Sequence, residues 1–241
     1  MPKYIITSIF AILVCCVLTQ QARADTQLGI QLIALSGTHF EPKENVSGTG
    51  FAGFIQLDER WRSVQLHLEG IPSVGTALVN TASGPVRSTL GMFSASARFR
   101  LDPAGRYWFG AGTQVLAQRT PQAGLSKIDA SRLAGSRYEL LGDFPVGARA
   151  GRFIETDIAA MPHLSGIVYE TRTAPFYDRY SVSVAETAGM TDLSLAYGIS
   201  RGRLEYLVGG RAINFAAKFP NGREADRNVG AGLFATMRVR L

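Results

Sequence analysis

The last fifteen residues, Arg227 to Leu241, alternate apolar with small or polar side chains, with one slip at Phe234. Val229, Ala231, Leu233, Ala235, Met237, Val239 and Leu241 share one face. Asn228, Gly230, Gly232, Phe234, Thr236, Arg238 and Arg240 share the other. Successive side chains of a strand point to opposite sides, so a period of two is the mark of a β-strand with one apolar face. Strands usually run about 5–6 residues. One of this length can cross a bilayer at a tilt.

The other end of the chain carries an export pattern. Lys3 gives a short basic region, Tyr4 to Leu18 is almost wholly apolar, and Ala22-Arg23-Ala24 supplies small residues before Asp25. Residues 1–24 therefore read as a cleavable signal peptide, and residues 25–241 as one domain. The apolar run is short of the about 20 residues of a spanning helix. Cys15 and Cys16 lie inside it, so the mature chain has no cysteine for disulfides, thiolate catalysis or metal sites. The 25 Lys and Arg lose Lys3 and Arg23, leaving 23 against 19 Asp and Glu. With so modest an excess and no basic run, nucleic acid has no footing as a partner.

Between these ends, short polar turns punctuate long alternating segments. The turns are Asp58-Glu59-Arg60, Asp102 to Gly105, Gly142 to Pro145 and Ser200-Arg201-Gly202. Longer polar or Gly/Pro-containing stretches fall near 40–48, 72–87, 120–130, 159–189 and 217–226. Short and long connections in alternation are the layout of a transmembrane barrel. Backbone groups that face lipid must all be paired within the fold, so such a sheet has to close. The expected fold is an all-β, closed antiparallel transmembrane barrel of about ten strands, near 26–39, 48–58, 61–71, 88–101, 105–119, 131–142, 146–158, 190–199, 203–215 and 227–241. Twelve strands follow if Gly166–Thr171 and Tyr180–Ala185 form an extra hairpin, and eight if some segments do not cross. The first strand loses its alternation at Ile33, which reads as a bulge. Trp108 and Leu116 also fall on the polar face of their segment. Phe99 and Tyr107 flank one turn, and Tyr197 and Tyr206 another, as an aromatic girdle at a membrane interface would.

The expected lumen face carries both signs of charge: Arg137, Glu139, Arg149, Glu155, Asp157, Asp192, Glu205, Arg211, Arg238 and Arg240. In a narrow barrel opposite charges pair and fill the interior, whereas wide aqueous channels belong to barrels of about 16–18 strands. A narrow conducting pore and a catalytic carboxylate are the competing readings of the same residues. His67 faces the same lumen and His39 closes the first strand. No metal-ligand spacing occurs, and no Gly-rich loop precedes a helix, so neither metal nor cofactor is expected.

His163-Leu164-Ser165 would put a base and a hydroxyl on one face of a strand, the minimum for acyl transfer once a carboxylate orients the imidazole. This pair is similar to that of the outer-membrane lipid A 3-O-deacylases. The resemblance implies His163 as base and Ser165 as nucleophile, with Glu170 or Glu155 as the orienting acid. The Asn that follows the Ser in those enzymes is Gly166 here. Across residues 25–241 the chain resembles the broad superfamily of small bacterial outer-membrane β-barrels. That resemblance implies an integral outer-membrane protein with a structural, surface-interaction or limited small-solute passage role. A lipid A-modifying hydrolase and a secreted soluble β-protein are the alternatives. The implied partners are outer-membrane lipid, lipopolysaccharide at basic loop positions such as Lys43, Arg119, Lys127, Arg172, Arg179 and Lys218, and the barrel-assembly machinery through the C-terminal strand.

Overall fold

The computed structural model describes residues 25–41, 44–71, 75–81, 84–122, 126–147, 151–174, 177–184, 187–218 and 226–241, with the side chains at several strand ends left undescribed. The signal-peptide segment, residues 1–24, lies outside them, as does Arg149. The strands are β1 (Asp25–Glu41), β2 (Glu44–Trp61), β3 (Val64–Gly70), β4 (Gly75–Thr81), β5 (Gly84–Arg100), β6 (Tyr107–Gln122), β7 (Ser126–Pro145), β8 (Arg152–Met161), β9 (Leu164–Ala174), β10 (Tyr177–Val184), β11 (Thr187–Arg201), β12 (Leu204–Lys218) and β13 (Asp226–Arg240).

These elements make ten staves. β2 and β5 each pair with both β3 and β4, so those two short strands form one interrupted stave. β7 pairs with β8 along Tyr138–Pro145 and with β9 along Ser126–Gly135, which makes a second, broken near Pro162. β10 pairs with β9, and β11 with β8, giving a third. The sheet closes where β1 meets β13, in register from Gln27↔Arg240 to Phe40↔Arg227. Every pairing is antiparallel, and closure leaves no edge to face lipid. Within the segments read as a possible extra hairpin, residues 167–171 and 180–184 pair with each other, but as upward extensions of two existing staves; Ala185 lies outside the described residues. The count therefore stays at ten.

The structure corrects several boundaries. Asp58-Glu59-Arg60 is not a turn: β2 runs through it to Trp61, and the chain reverses at Arg62-Ser63. Gly142 to Asp143 and on to Pro145 belong to β7, which reverses after Val146. The turns at 102–105 and 202–203 use Gly105 and Gly202 at φ 69° and 62°, a left-handed conformation that glycine enters without steric cost. The stretches 40–48, 72–87 and 120–130 are mostly paired strand, closing as Glu41↔Glu44, Thr81↔Gly84 and Gln122↔Lys127. They read as loops because the apolar face needed in lipid is absent there. β7 has 20 residues, roughly 65 Å at about 3.3 Å each, against a hydrocarbon core of about 30 Å. The staves thus rise well beyond any bilayer on the side away from the termini.

The outward face is an apolar band. Leu28, Ile30, Leu32, Phe51, Phe93, Phe109, Leu140, Ile158, Leu195, Val208 and Leu233 are all exposed. Water would be a poor solvent for so continuous a surface, and a monomeric soluble protein rarely shows one. Higher up, the chemistry inverts. Ser36, Arg132, Ser165 and Thr191 point outward, while Leu35, Leu133, Leu164 and Met190 point in. There is no bulge at Ile33: β1 alternates without a break, with Leu32 outward and Ile33 buried in the lumen. Phe234, Trp108 and Leu116 are buried inside the barrel in the same way.

Candidate functional site

The lumen holds two layers. The first, nearer the turns and the termini, is polar. Arg211 on β12 is its hub: Nε donates to Asp192 Oδ1 at 2.9 Å and Nη2 to Asp192 Oδ2 at 2.6 Å. Nη2 also reaches Glu69 Oε1 at 3.0 Å, and Nη1 reaches Gln31 Oε1 at 3.1 Å. Gln31 sits two staves around the wall from β12 and Glu69 four, so this one guanidinium ties across the barrel. Gln56 Nε2 donates to Glu69 Oε2 at 3.1 Å, and Gln31 Nε2 to Thr236 Oγ1 at 3.1 Å.

A second knot centres on Glu139, whose carboxylate accepts from Arg98 Nε at 2.6 Å, Arg137 Nε at 3.0 Å and the Ser96 hydroxyl. Arg98 also reaches Asp157 Oδ2 at 3.3 Å, and Arg137 Nη1 donates to Gln114 Oε1 at 3.1 Å. His67 Nδ1 lies 2.8 Å from Asp58 Oδ1, which accepts from Gln65 Nε2 at 2.6 Å. Arg238 grips Glu155 through both Nη atoms at 2.6 and 2.8 Å. Near the rim Arg240 holds Glu205 at 3.3 Å and Asp25 at 3.2 Å. Charges removed from water must be paired and hydrogen-bonded to be tolerated; each of these groups has an opposite partner, while Asp157 Oδ1, Arg238 Nε and Gln56 Oε1 make no hydrogen bond among the described residues. Between them remains a cavity of about 30 Å³ lined by Gln31, Gln56, Glu69, Asp157 and Arg238, among others. That is room for a water or two.

Above it lies the apolar layer: Ile33, Phe54, Met92, Leu116, Leu133, Met161, Leu164, Met190 and Phe234, all buried. The layers meet where the Arg211 guanidinium stands over the Phe54 ring at 5.1 Å. At the turn end Trp108 closes the floor, its Nε1 donating to Gly105 O at 3.0 Å under the Arg60 guanidinium.

Of the expected lumen charges, the structure places Arg137, Glu139, Asp192 and Arg211 in the heart of this network and Glu155, Asp157, Glu205, Arg238 and Arg240 around it. Asp58, Glu69 and Arg98 belong to the network as well, together with the four glutamines. Asp58 lies in a polar triplet that reads as a turn in sequence, which hides its inward phase on β2. Glu69 and Arg98 stood on the polar phases of their strands, which was the available signal.

His163 and Ser165 both sit exposed at the kink between β8 and β9. The Ser165 hydroxyl donates to Ala134 O at 3.5 Å, and no described carboxylate bonds to His163. Glu155 is eight residues back along the stave, roughly 25 Å away at strand rise, and is held by Arg238. The Glu170 backbone pairs with Asp129, and its side chain lies outside those described. Among the described residues, no carboxylate stands where it would orient the His163 imidazole as the third member of a triad.

Outside the lumen, Asp102 caps its own turn, accepting from the Arg106 and Tyr107 amides at 2.7 and 2.8 Å. Desolvation in the turn pushes its carboxyl upward. The two amides and the Arg106 guanidinium outweigh that and hold it below its ordinary 3.8.

The architecture has solved counterparts. The outer membrane protease OmpT from Escherichia coli superposes at a TM-score of 0.63 with 10% identity, covering 90% of this chain and 97% of that one. The chain has the fold of the bacterial outer-membrane β-barrels. The β domain of the Bordetella autotransporter BrkA superposes at 0.51 with 12% identity, covering 91% and 100%. At such identities the likeness is one of fold. No family model matches the chain, and no curated protein matches it in sequence. The exposed apolar band is the girth that this fold requires, with Phe99, Tyr107, Tyr197 and Tyr206 exposed at one level beside the turns.

Proposed function

We propose that the chain is a sealed outer-membrane barrel that serves the envelope as a structural wall element and presents its tall outer staves to the surroundings. One observation carries this reading: the lumen is filled twice over, by a paired charge network and by an apolar layer above it. Between the paired side chains of the polar layer the structure leaves a cavity of only about 30 Å³. An open path for ions or polar solutes needs a continuous polar lining, and the ring from Ile33 to Phe234 interrupts it. Apolar constrictions of this kind exclude water and ions by dewetting.

Planar-bilayer recording tests the proposal. Purified protein inserted from detergent should give no steady conductance steps above the bare membrane. Reproducible steps with ion selectivity, altered by Arg137→Gln, would instead support a narrow channel running through the charge network.

A further inference from the structure

Every hairpin turn at the terminus-bearing end is flanked by exposed arginine. Arg62 lies in the β2–β3 turn, Arg100 and Arg106 bracket the β5–β6 turn, Arg152 follows the β7–β8 turn, and Arg201 and Arg203 bracket the β11–β12 turn. The fifth junction, between the chain ends, carries Arg240. Together they ring the whole rim. Arg106 leans on Asp102 at 3.6 Å. Arg62, Arg100, Arg152, Arg201 and Arg203 form no ion pair among the described residues. Asp25 and Glu205 are engaged with Arg240, and Asp102 with its turn. That leaves Glu59 as the outward carboxylate at this level. The choice of cation is uniform: lysine occurs only at positions 3, 43, 127 and 218, none of them in these turns.

Arginine presents a planar fork of donors that fits phosphate oxygens two at a time, which a lysine ammonium cannot do. The ring stands directly beside the girdle of Phe99, Tyr107, Tyr197 and Tyr206, where the lipid-facing band ends. A headgroup whose acyl chains lie against that band stands at the level of these turns. We propose that this rim binds the headgroup phosphates of anionic phospholipids in the leaflet nearest the turns. The inference rests on the barrel spanning a membrane and is separate from whether its lumen is sealed.

The test measures lipid selectivity at the protein surface. Refolded protein in phosphatidylcholine vesicles receives trace spin-labelled phosphatidylglycerol or phosphatidylcholine, and electron spin resonance reads the motionally restricted fraction of each. The wild type should favour phosphatidylglycerol by roughly twofold to fivefold, less at high salt. A variant with R62Q, R100Q, R152Q, R201Q and R203Q should bring the ratio close to one, while K43Q/K127Q/K218Q keeps it. If the quintuple variant fails to give the faster-migrating folded form on an unboiled gel, R201Q/R203Q should still lower the ratio by a measurable part.

Equal restriction of both lipids by the wild type overturns the proposal, and so does a preference lost in the lysine variant and kept in the arginine variant. Equal restriction combined with arginine-dependent sedimentation on isolated peptidoglycan would replace lipid by the cell wall as the partner. Absence of any restricted fraction for either lipid would instead refute the membrane-spanning reading itself.

Discussion

On the turn side of the lumen, Arg211, Asp192 and Glu69 close the space by hydrogen bonds that cross the barrel. A few residues further up the same wall, Leu133, Met161 and Met190 close it by contact alone. The difference follows from what lies outside. Where the wall is wrapped in lipid, the apolar side chains are spent outward, and the alternation of a strand then delivers polar residues to the interior. Those polar residues have to satisfy one another, and ten staves bring them close enough to do so. Where the staves rise past the bilayer, the outer face meets water and the alternation can return to the order of a soluble protein, apolar side in. One barrel thus contains two kinds of interior, stacked along its axis, with Phe54 and Arg211 at the seam.

The sharpest way to break the comparison is to remove the hub of the polar layer. Arg211→Ala leaves Asp192 and Glu69 as buried charges without their main partner, which should cost about 3–5 kcal/mol. Urea unfolding of the refolded protein would register it as a large drop in midpoint. A loss no greater than that of an exposed substitution would mean that water fills this layer and carries the charges. Leu133→Ala strikes the apolar layer and should cost about 2–4 kcal/mol, read in the same titration. It should leave the polar layer shut, so bilayer conductance stays at background. A variant that both unfolds early and conducts would show that the apolar layer alone is the seal.

Asp102 supplies the solvent-exposed reference for both layers, and its effect is the smallest. Its carboxyl is held below 3.8 by donated hydrogen bonds, so its contribution is present above the unfolded value and is lost as pH falls through the lowered folded one. The amide resonances of Arg106 and Tyr107 should therefore move only in that acid window. Asp102→Asn should remove the titration and leave the global unfolding midpoint in place. A midpoint shift comparable to that of Arg211→Ala would place this turn among the determinants of the whole barrel.

Much of the fold was legible because lipid enforces contrast. Leu195 and Tyr197 against Ser194 and Ala196, or Val229 to Leu241 against the intervening small and charged residues, can be read directly as two faces. Legibility failed where that contrast vanishes. The described residues of the segments near 40–48 and 120–130 are strand, but outside a bilayer they have no need of an apolar outer face, so their composition resembles loop. The irregularities were the more instructive part. Ile33, Trp108, Leu116 and Phe234 each stand on the polar face of their strand in the sequence, and the break at Ile33 reads there as a bulge. All four are buried inside the barrel, three in the apolar layer and Trp108 at the floor. The polar network was readable as a phase, residue by residue, from Arg137, Glu139 and Asp192. Its partners across the lumen were not, because Glu69 meets Arg211 only through closure of a sheet whose ends are more than a hundred residues apart in sequence.

Whether the lumen is shut between its two layers can be read from a single cysteine. The chain's cysteines, Cys15 and Cys16, both lie in the N-terminal segment 1–24. Ser94→Cys would therefore put the sole thiol of the remaining chain at a lumen position that is 1% exposed. Refolded into vesicles, this variant should resist a membrane-impermeant maleimide from either side and label fully once unfolded in denaturant. Rapid labelling of the folded protein would contradict the account and show an open path to the centre of the barrel.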